Sequence, residues 1–118
     1  MAPPRKDLTV WAGNTWSQPF HLTAGGSDFD LTGSKLVWRM VEGATITRKT
    51  TDTVGSGIEI TDDTGGEFEL SLTVSETRTW NDGAVVRYEI ERWLGDAQTT
   101  LLYGTMTVSA WVNDDVDP

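Results

Sequence analysis

The chain predicts an all-β fold, a sandwich or barrel of antiparallel strands. Three observations carry that expectation: Val, Ile and Thr are frequent, apolar residues alternate with polar ones, and glycine- and aspartate-rich turn clusters recur roughly every eight to fifteen residues. At 118 residues the chain is expected to form one domain, burying roughly two thirds of the surface its unfolded form exposes.

The elements follow in order. In the arm "MAPPRKD" two prolines block ladder hydrogen bonding, so residues 1–6 are expected to be extended. Leu8 to Ala12 reads as a first short strand. "TWSQPFHL" reads as a second, with Trp16, Phe20 and Leu22 on one face and Pro19 marking an edge or a bulge. "TAGGSDFDLTGS" reads as loop. In "KLVWRMV", Leu36, Trp38 and Met40 point to one side while Lys35, Val37, Arg39 and Val41 point to the other. "ATITRKT" reads as a short edge strand, because Arg48 and Lys49 discourage pairing with another molecule.

In "GIEITDDTGGEFELSLT", pairing Ile60 with Phe68 and Ile58 with Leu70 puts all four on one face and leaves "DDTGG" as the connection. "TVSETRTW" reads as a single helical turn capped by Thr73 or Ser75. The last hairpin is the strongest signal. Aligning Val86 with Val108, Tyr88 with Met106 and Ile90 with Gly104 gives a continuous apolar face joined by "GDAQT". Its other face carries Arg87, Glu89, Glu91 and Trp93 opposite Thr107, Thr105, Tyr103 and Leu101. The sandwich is expected to span residues 7–112, followed by an acidic tail, 113–118.

Composition narrows the function. With no cysteine, disulfides, thiolate zinc sites and cysteine nucleophiles are excluded together, which suits assembly in a reducing cytoplasm. A net charge of −9 argues against nucleic acid or an anionic membrane as partner, since both are bound by lysine and arginine. No apolar run approaches the roughly 20 residues of a membrane span, and "MAPPRKDLTV" lacks the apolar centre of a secretory signal.

Candidate chemical sites are few. Glu59, Asp62, Asp63, Glu67 and Glu69 lie close in sequence, and the register sets Glu59 opposite Glu69, a slight hint of a cation. Acids in turns and on outward strand positions are ordinarily solvated, however, and the calcium-loop pattern is absent. "SDFD" sits among loop residues, where turn capping is expected of Asp28 and Asp30. His21 has no nucleophile motif to serve. No catalytic residue, metal ligand or cofactor is therefore expected, and the protein is not expected to be an enzyme.

Six tryptophans leave two readings. In one, Trp93 with Tyr103 and Leu101 forms a platform for sugar rings, with Glu89 and Glu91 accepting hydroxyl protons. In the other, which we prefer, Trp16 and Trp38 fill the core while Trp11, Trp80, Trp93 and Trp111 cover sheet ends or contacts with other subunits.

The order of segments carries a resemblance. "FDLTGSKLVWRMV", "GIEITDDTGGEFELSLTVSETRTW", "NDGAVVRYEIE" and "LLYGTMTV" together resemble a family of small bacteriophage and prophage structural domains similar to the N-terminal domain of baseplate upper proteins. The resemblance implies an immunoglobulin-like antiparallel β-sandwich of about seven to eight strands. It also implies a virion component assembled in the bacterial cytoplasm, attached to tail, baseplate or fibre proteins, and present as a homo-oligomer or symmetric multi-copy array. Its partners are other virion proteins, and its contact residues are expected among Trp93, Leu101, Tyr103, Trp111 and Trp11. A glycan-binding module for host-surface recognition and a head-decoration protein are the alternatives.

Overall fold

A computed structural model describes residues 3–110. Among the described residues, ten strands and one short helix form two packed sheets and a small hairpin. The larger sheet has the order β1-β10-β9-β5-β6, from β1 (Leu8–Ala12), β5 (Lys35–Glu42), β6 (Thr45–Thr50), β9 (Val85–Leu94) and β10 (Ala97–Ala110). The smaller is β2-β8-β7, from β2 (Trp16–His21), β7 (Ile58–Asp62) and β8 (Glu67–Leu72). The segment read as loop holds a tiny hairpin, β3 (Thr23–Ala24) with β4 (Ser27–Asp28). Within the two large sheets all pairs are antiparallel except β1 with β10.

The core lies between the sheets. Leu36, Trp38 and Met40 of β5, Val86, Tyr88 and Ile90 of β9, and Leu102, Met106 and Val108 of β10 meet Ile58 of β7 and Phe68, Leu70 and Leu72 of β8. Phe20 stacks on Phe68 at 5.1 Å, and Trp16 packs against Trp38 at 6.2 Å. Each such large apolar side chain contributes on the order of 1.5–3 kcal/mol by leaving water. Period-two alternation thus decides which face of each strand is inward, as the sequence pattern predicts.

The pairing of β7 with β8 follows the expected register, Ile58 with Leu70 and Ile60 with Phe68. Pro19 lies on β2, an edge strand, where its missing N–H costs no ladder bond. Helix α1 (Val74–Thr77) is capped by Thr73: its hydroxyl accepts from Glu76 N–H while the Glu76 carboxylate accepts from Thr73 N–H. The buried Thr77 hydroxyl accepts from Gly13 N–H and donates to the Asn14 carbonyl, tying α1 to the β1–β2 connection.

The final hairpin departs from its expected register by two residues: Val86 faces Met106, Tyr88 faces Gly104 and Ile90 faces Leu102. A two-residue turn at Gly95 and Asp96, not a five-residue loop, joins the strands, and Gly95 takes the positive φ (59°) that such a turn needs at its first position. Continued unbroken, that turn's register would point Tyr103 and Thr105 inward. A bulge between Thr100 and Leu102 restores the parity. The extra residue is Leu101, which the bulge turns into the core at 7% exposure.

The N-terminal arm continues the alignment of β1. Arg5 bridges Tyr103 in parallel, Lys6 N–H donates to the Tyr103 carbonyl at 2.8 Å, and Tyr103 N–H donates to the Pro4 carbonyl at 3.2 Å. Gly104 makes this approach possible, because a Cβ there would lie 2.1 Å from the Lys6 carbonyl oxygen. The Tyr88 hydroxyl, reaching through the space left by its cross-strand partner Gly104, donates to that same carbonyl.

Candidate interaction surface

One face of the larger sheet packs on the core; among the described residues no second sheet covers the other. The alternate residues of its strands make the outer surface: Trp11 on β1, Tyr103 and Thr105 on β10, Val85, Arg87, Glu89 and Trp93 on β9, Arg39 and Val41 on β5, Ile46 and Arg48 on β6. Trp11, Ile46, Val85 and Tyr103 are 40%, 54%, 53% and 40% exposed. These exposed apolar groups make this face the candidate contact surface.

Across this face runs an open groove of about 750 Å³. Arg39, Arg87, Glu89, Tyr103 and Thr105 line its floor and Arg5 of the arm lines a wall. The register places Arg39 between Glu89 and Arg48 and sets Arg87 between Val41 and Thr105. Arg5 is bonded to Asp7, whose Oδ1 also accepts from the Thr105 amide and hydroxyl. The Thr105 amide first, then Arg5, holds the Asp7 carboxyl below the usual carboxylate range. Arg39, Arg48 and Arg87 form no ion pair among the described residues. In a chain of net charge −9, three neighbouring uncompensated guanidinium groups form a local positive patch.

Of the contact residues expected from sequence, Tyr103 and Trp11 are on this face and exposed. Trp93 is on it and half-buried, its ring under the Lys35 ammonium at 5.2 Å. Leu101 corrects the expectation: the bulge removes it from the outer face, so the Trp93, Leu101, Tyr103 platform does not form. Trp111 lies outside the described residues, as do the last part of the expected 7–112 domain and the tail 113–118. The groove arginines escaped sequence reading because they come from three distant segments; only the hairpin register and the docked arm make them neighbours.

The acid-rich hairpin resolves into turn chemistry. Asp62 accepts from Gly65 N–H at 3.0 Å and Asp63 from Thr64 N–H at 2.8 Å. Glu59 does face Glu69. Among the described residues no group of three His, Cys, Asp or Glu side chains is arranged to hold a metal ion. In "SDFD", Asp30 accepts from Thr32 N–H at 2.9 Å, and bonds from Thr32 hold its carboxyl below the usual range. Asp28 lies 2.8 Å from His21 Nε2 on an exposed patch.

No family model and no curated protein matches the chain. Solved structures match its fold. The N-terminal domain of ORF48 of phage TP901-1 superposes with a TM-score of 0.53 at 8% identity, covering 92% of this chain and 89% of that one. The extracellular domain of the voltage-gated sodium channel β4 subunit, described as a parallel homodimer that explains a role in cell–cell adhesion, superposes with a TM-score of 0.51 at 12% identity, covering 95% and 97%. The fold is an immunoglobulin-like β-sandwich, as the sequence led one to expect, with ten strands and a parallel first strand.

Proposed function

We propose that the protein is a non-enzymatic structural component of a bacteriophage particle, attaching to or decorating tail, baseplate or fibre proteins and present there in several copies. The observation that carries this reading is the outer face of the larger sheet, where Trp11, Ile46, Val85 and Tyr103 stand exposed around an arginine-lined groove. Exposed aromatic and aliphatic groups beside arginines support contact with another protein. The likeness of its fold to a phage domain supports the same reading. An acidic unit of this kind stays dispersed in the host cytoplasm by self-repulsion until it meets a complementary surface, and symmetric repetition then multiplies modest contacts.

The test is mass spectrometry of particles purified from the host that carries the gene, with wild type and with Trp11→Ser combined with Tyr103→Ser. Wild type is expected in the particle at fixed stoichiometry, and the variant is expected to fold but be left out. A wild-type protein absent from particles overturns the proposal; a variant incorporated normally removes this face from it.

Tyr103 and Glu89 are cross-strand neighbours within the groove, a ring beside an acceptor, and this favours glycan binding as the second reading. A glycan array separates the two: a specific sugar bound with useful affinity supports the glycan module.

A further inference from the structure

Three arginines meet on the outer face of the larger sheet. Arg39 on β5 lies directly opposite Arg48 on β6, and Arg87 on β9 lies diagonally from Arg39, two residues along. Like charges set directly across a strand pair destabilise it. The chain has twice as many acids as bases, 18 against 9, yet none of these three arginines has an ion-pair partner among the described residues. Resting on the particle role above, we propose that Arg39 and Arg87, with Arg48 beside them, receive the carboxylates of an extended acidic segment of a partner protein.

Spacing selects the form of the segment. Diagonal neighbours on adjacent strands stand about 7–8 Å apart, and alternate residues of an extended chain, which point to the same side, repeat at about 6.6 Å. A segment with an acid at every second position therefore sets one carboxylate against Arg39 and the next against Arg87. Planar guanidinium groups hold carboxylates through pairs of parallel hydrogen bonds, better than an ammonium does. Val41 and Tyr103 line the same groove and offer apolar surface to the methylene stems of the acids.

Glu89 decides between a peptide and a continuous polyanion. It lines the groove in register with Arg39 on one side and Tyr103 on the other, where it repels an evenly charged polymer but accepts hydrogen bonds from the amide N–H groups of a peptide. The net charge acts the same way. A nucleic acid or an acidic polysaccharide carries its charge far beyond the groove and is repelled by a chain of net charge −9, whereas a protein segment confines its acids to the length that the arginines neutralise.

The experiment is fluorescence anisotropy on the full chain with three labelled probes: a short peptide of alternating glutamate and serine, the same peptide with glutamine for glutamate, and an oligogalacturonate carrying as many carboxylates as the first. Wild type is compared with Arg39→Ser, with Arg39→Ser combined with Arg87→Ser, and with Arg78→Ser, which removes an exposed arginine outside the groove and controls for net charge. Circular dichroism checks that each variant folds. The wild-type comparison of the glutamate and glutamine peptides depends on no variant.

Wild type is expected to bind the glutamate peptide, to release it as salt rises, and to ignore the glutamine peptide. Arg39→Ser is expected to weaken binding by about tenfold and the double variant further, with Arg78→Ser close to wild type. Equal binding of the two peptides, no binding of either, an effect of Arg78→Ser as large as that of Arg39→Ser, or tighter binding of the oligogalacturonate each overturns the proposal, the last in favour of a saccharide. The particle measurement fails separately. A chain that enters particles while its groove ignores the glutamate peptide overturns only the acidic segment, and a chain absent from particles overturns the particle role whatever the peptide does.

Discussion

The two faces of the larger sheet are written on alternate residues of the same strands, yet they answer to different demands. On the inner face Trp38, Ile90, Met106 and Val108 are wholly or almost wholly out of water, and every volume is fixed by its neighbours. On the outer face Arg39, Arg87 and Tyr103 stand in solvent, and nothing in the fold fixes their identity. The difference teaches that the demands of packing fall on one face only: the inner residues set whether the chain folds, and the outer ones are free of that constraint.

The largest effect expected is on the inner face. Met106→Ala leaves a void between the sheets and is expected to lower unfolding free energy by about 2–5 kcal/mol, measured by urea denaturation. A cost below about 0.5 kcal/mol, the range of surface substitutions, would break the comparison.

The arm joins the two faces, because Gly104 and Tyr88 act through the sheet on the Lys6 carbonyl. Tyr88→Phe removes the donor to a carbonyl held against the sheet, and is expected to cost about 1–3 kcal/mol and to speed hydrogen exchange at the Lys6 amide. The tyrosine also gives an alkaline signature. Burial first, and the nearby Asp7 charge second, push its hydroxyl up to about 12 from an ordinary 10.0. The folded state therefore keeps a proton that the unfolded state has released. Stability is whole below pH 10 and falls between 10 and 12, and Tyr88→Phe is expected to flatten that decline in a titration of melting temperature.

A smaller effect is expected where the inner side of the sheet meets charge. Lys49, opposite Trp38 on β6, donates to the Glu76 carboxylate and to the Ser56 carbonyl. Desolvation raises the Glu76 carboxyl, but the Lys49 and Thr73 hydrogen bonds outweigh it and hold the group below its ordinary 4.5. The contribution is present above that value and is lost as pH falls through the depressed one. Because Glu76 is partly solvated, Glu76→Gln is expected to cost under about 1 kcal/mol near neutral pH and to reduce the acid-side loss seen in denaturation at decreasing pH.

The smallest stability effect belongs to the outer face. Arg39→Ser with Arg87→Ser is expected to stay within about 0.5 kcal/mol of wild type in thermal or urea unfolding. A cost like that of Met106→Ala would mean that the groove is a structural feature instead of a docking surface.

Much of the inner face was legible because period-two patterning states it directly. Leu36, Trp38 and Met40 were assigned inward from spacing, and the pairing of β7 with β8 followed from matching Ile58 and Ile60 to Leu70 and Phe68. The last hairpin kept its parity but slipped by two, since a bulge leaves no mark in a hydrophobic pattern. Leu101 was lost from the expected contact set for that reason alone. The outer face was legible only residue by residue. Arg5, Arg39 and Arg87 look like scattered solubilising charges until a parallel arm and two strand pairings gather them.

The parallel pairing of the first strand with the last has a consequence for the order of events in synthesis. Asp7 and the residue it binds, Thr105, stand 98 residues apart, so Leu8, Val10 and Ala12 leave the ribosome well before β10, the strand they pair with. A pairing this far apart in sequence closes a large loop, and that closure is entropically slow, so the β1 edge of the larger sheet depends on the most distant contact described.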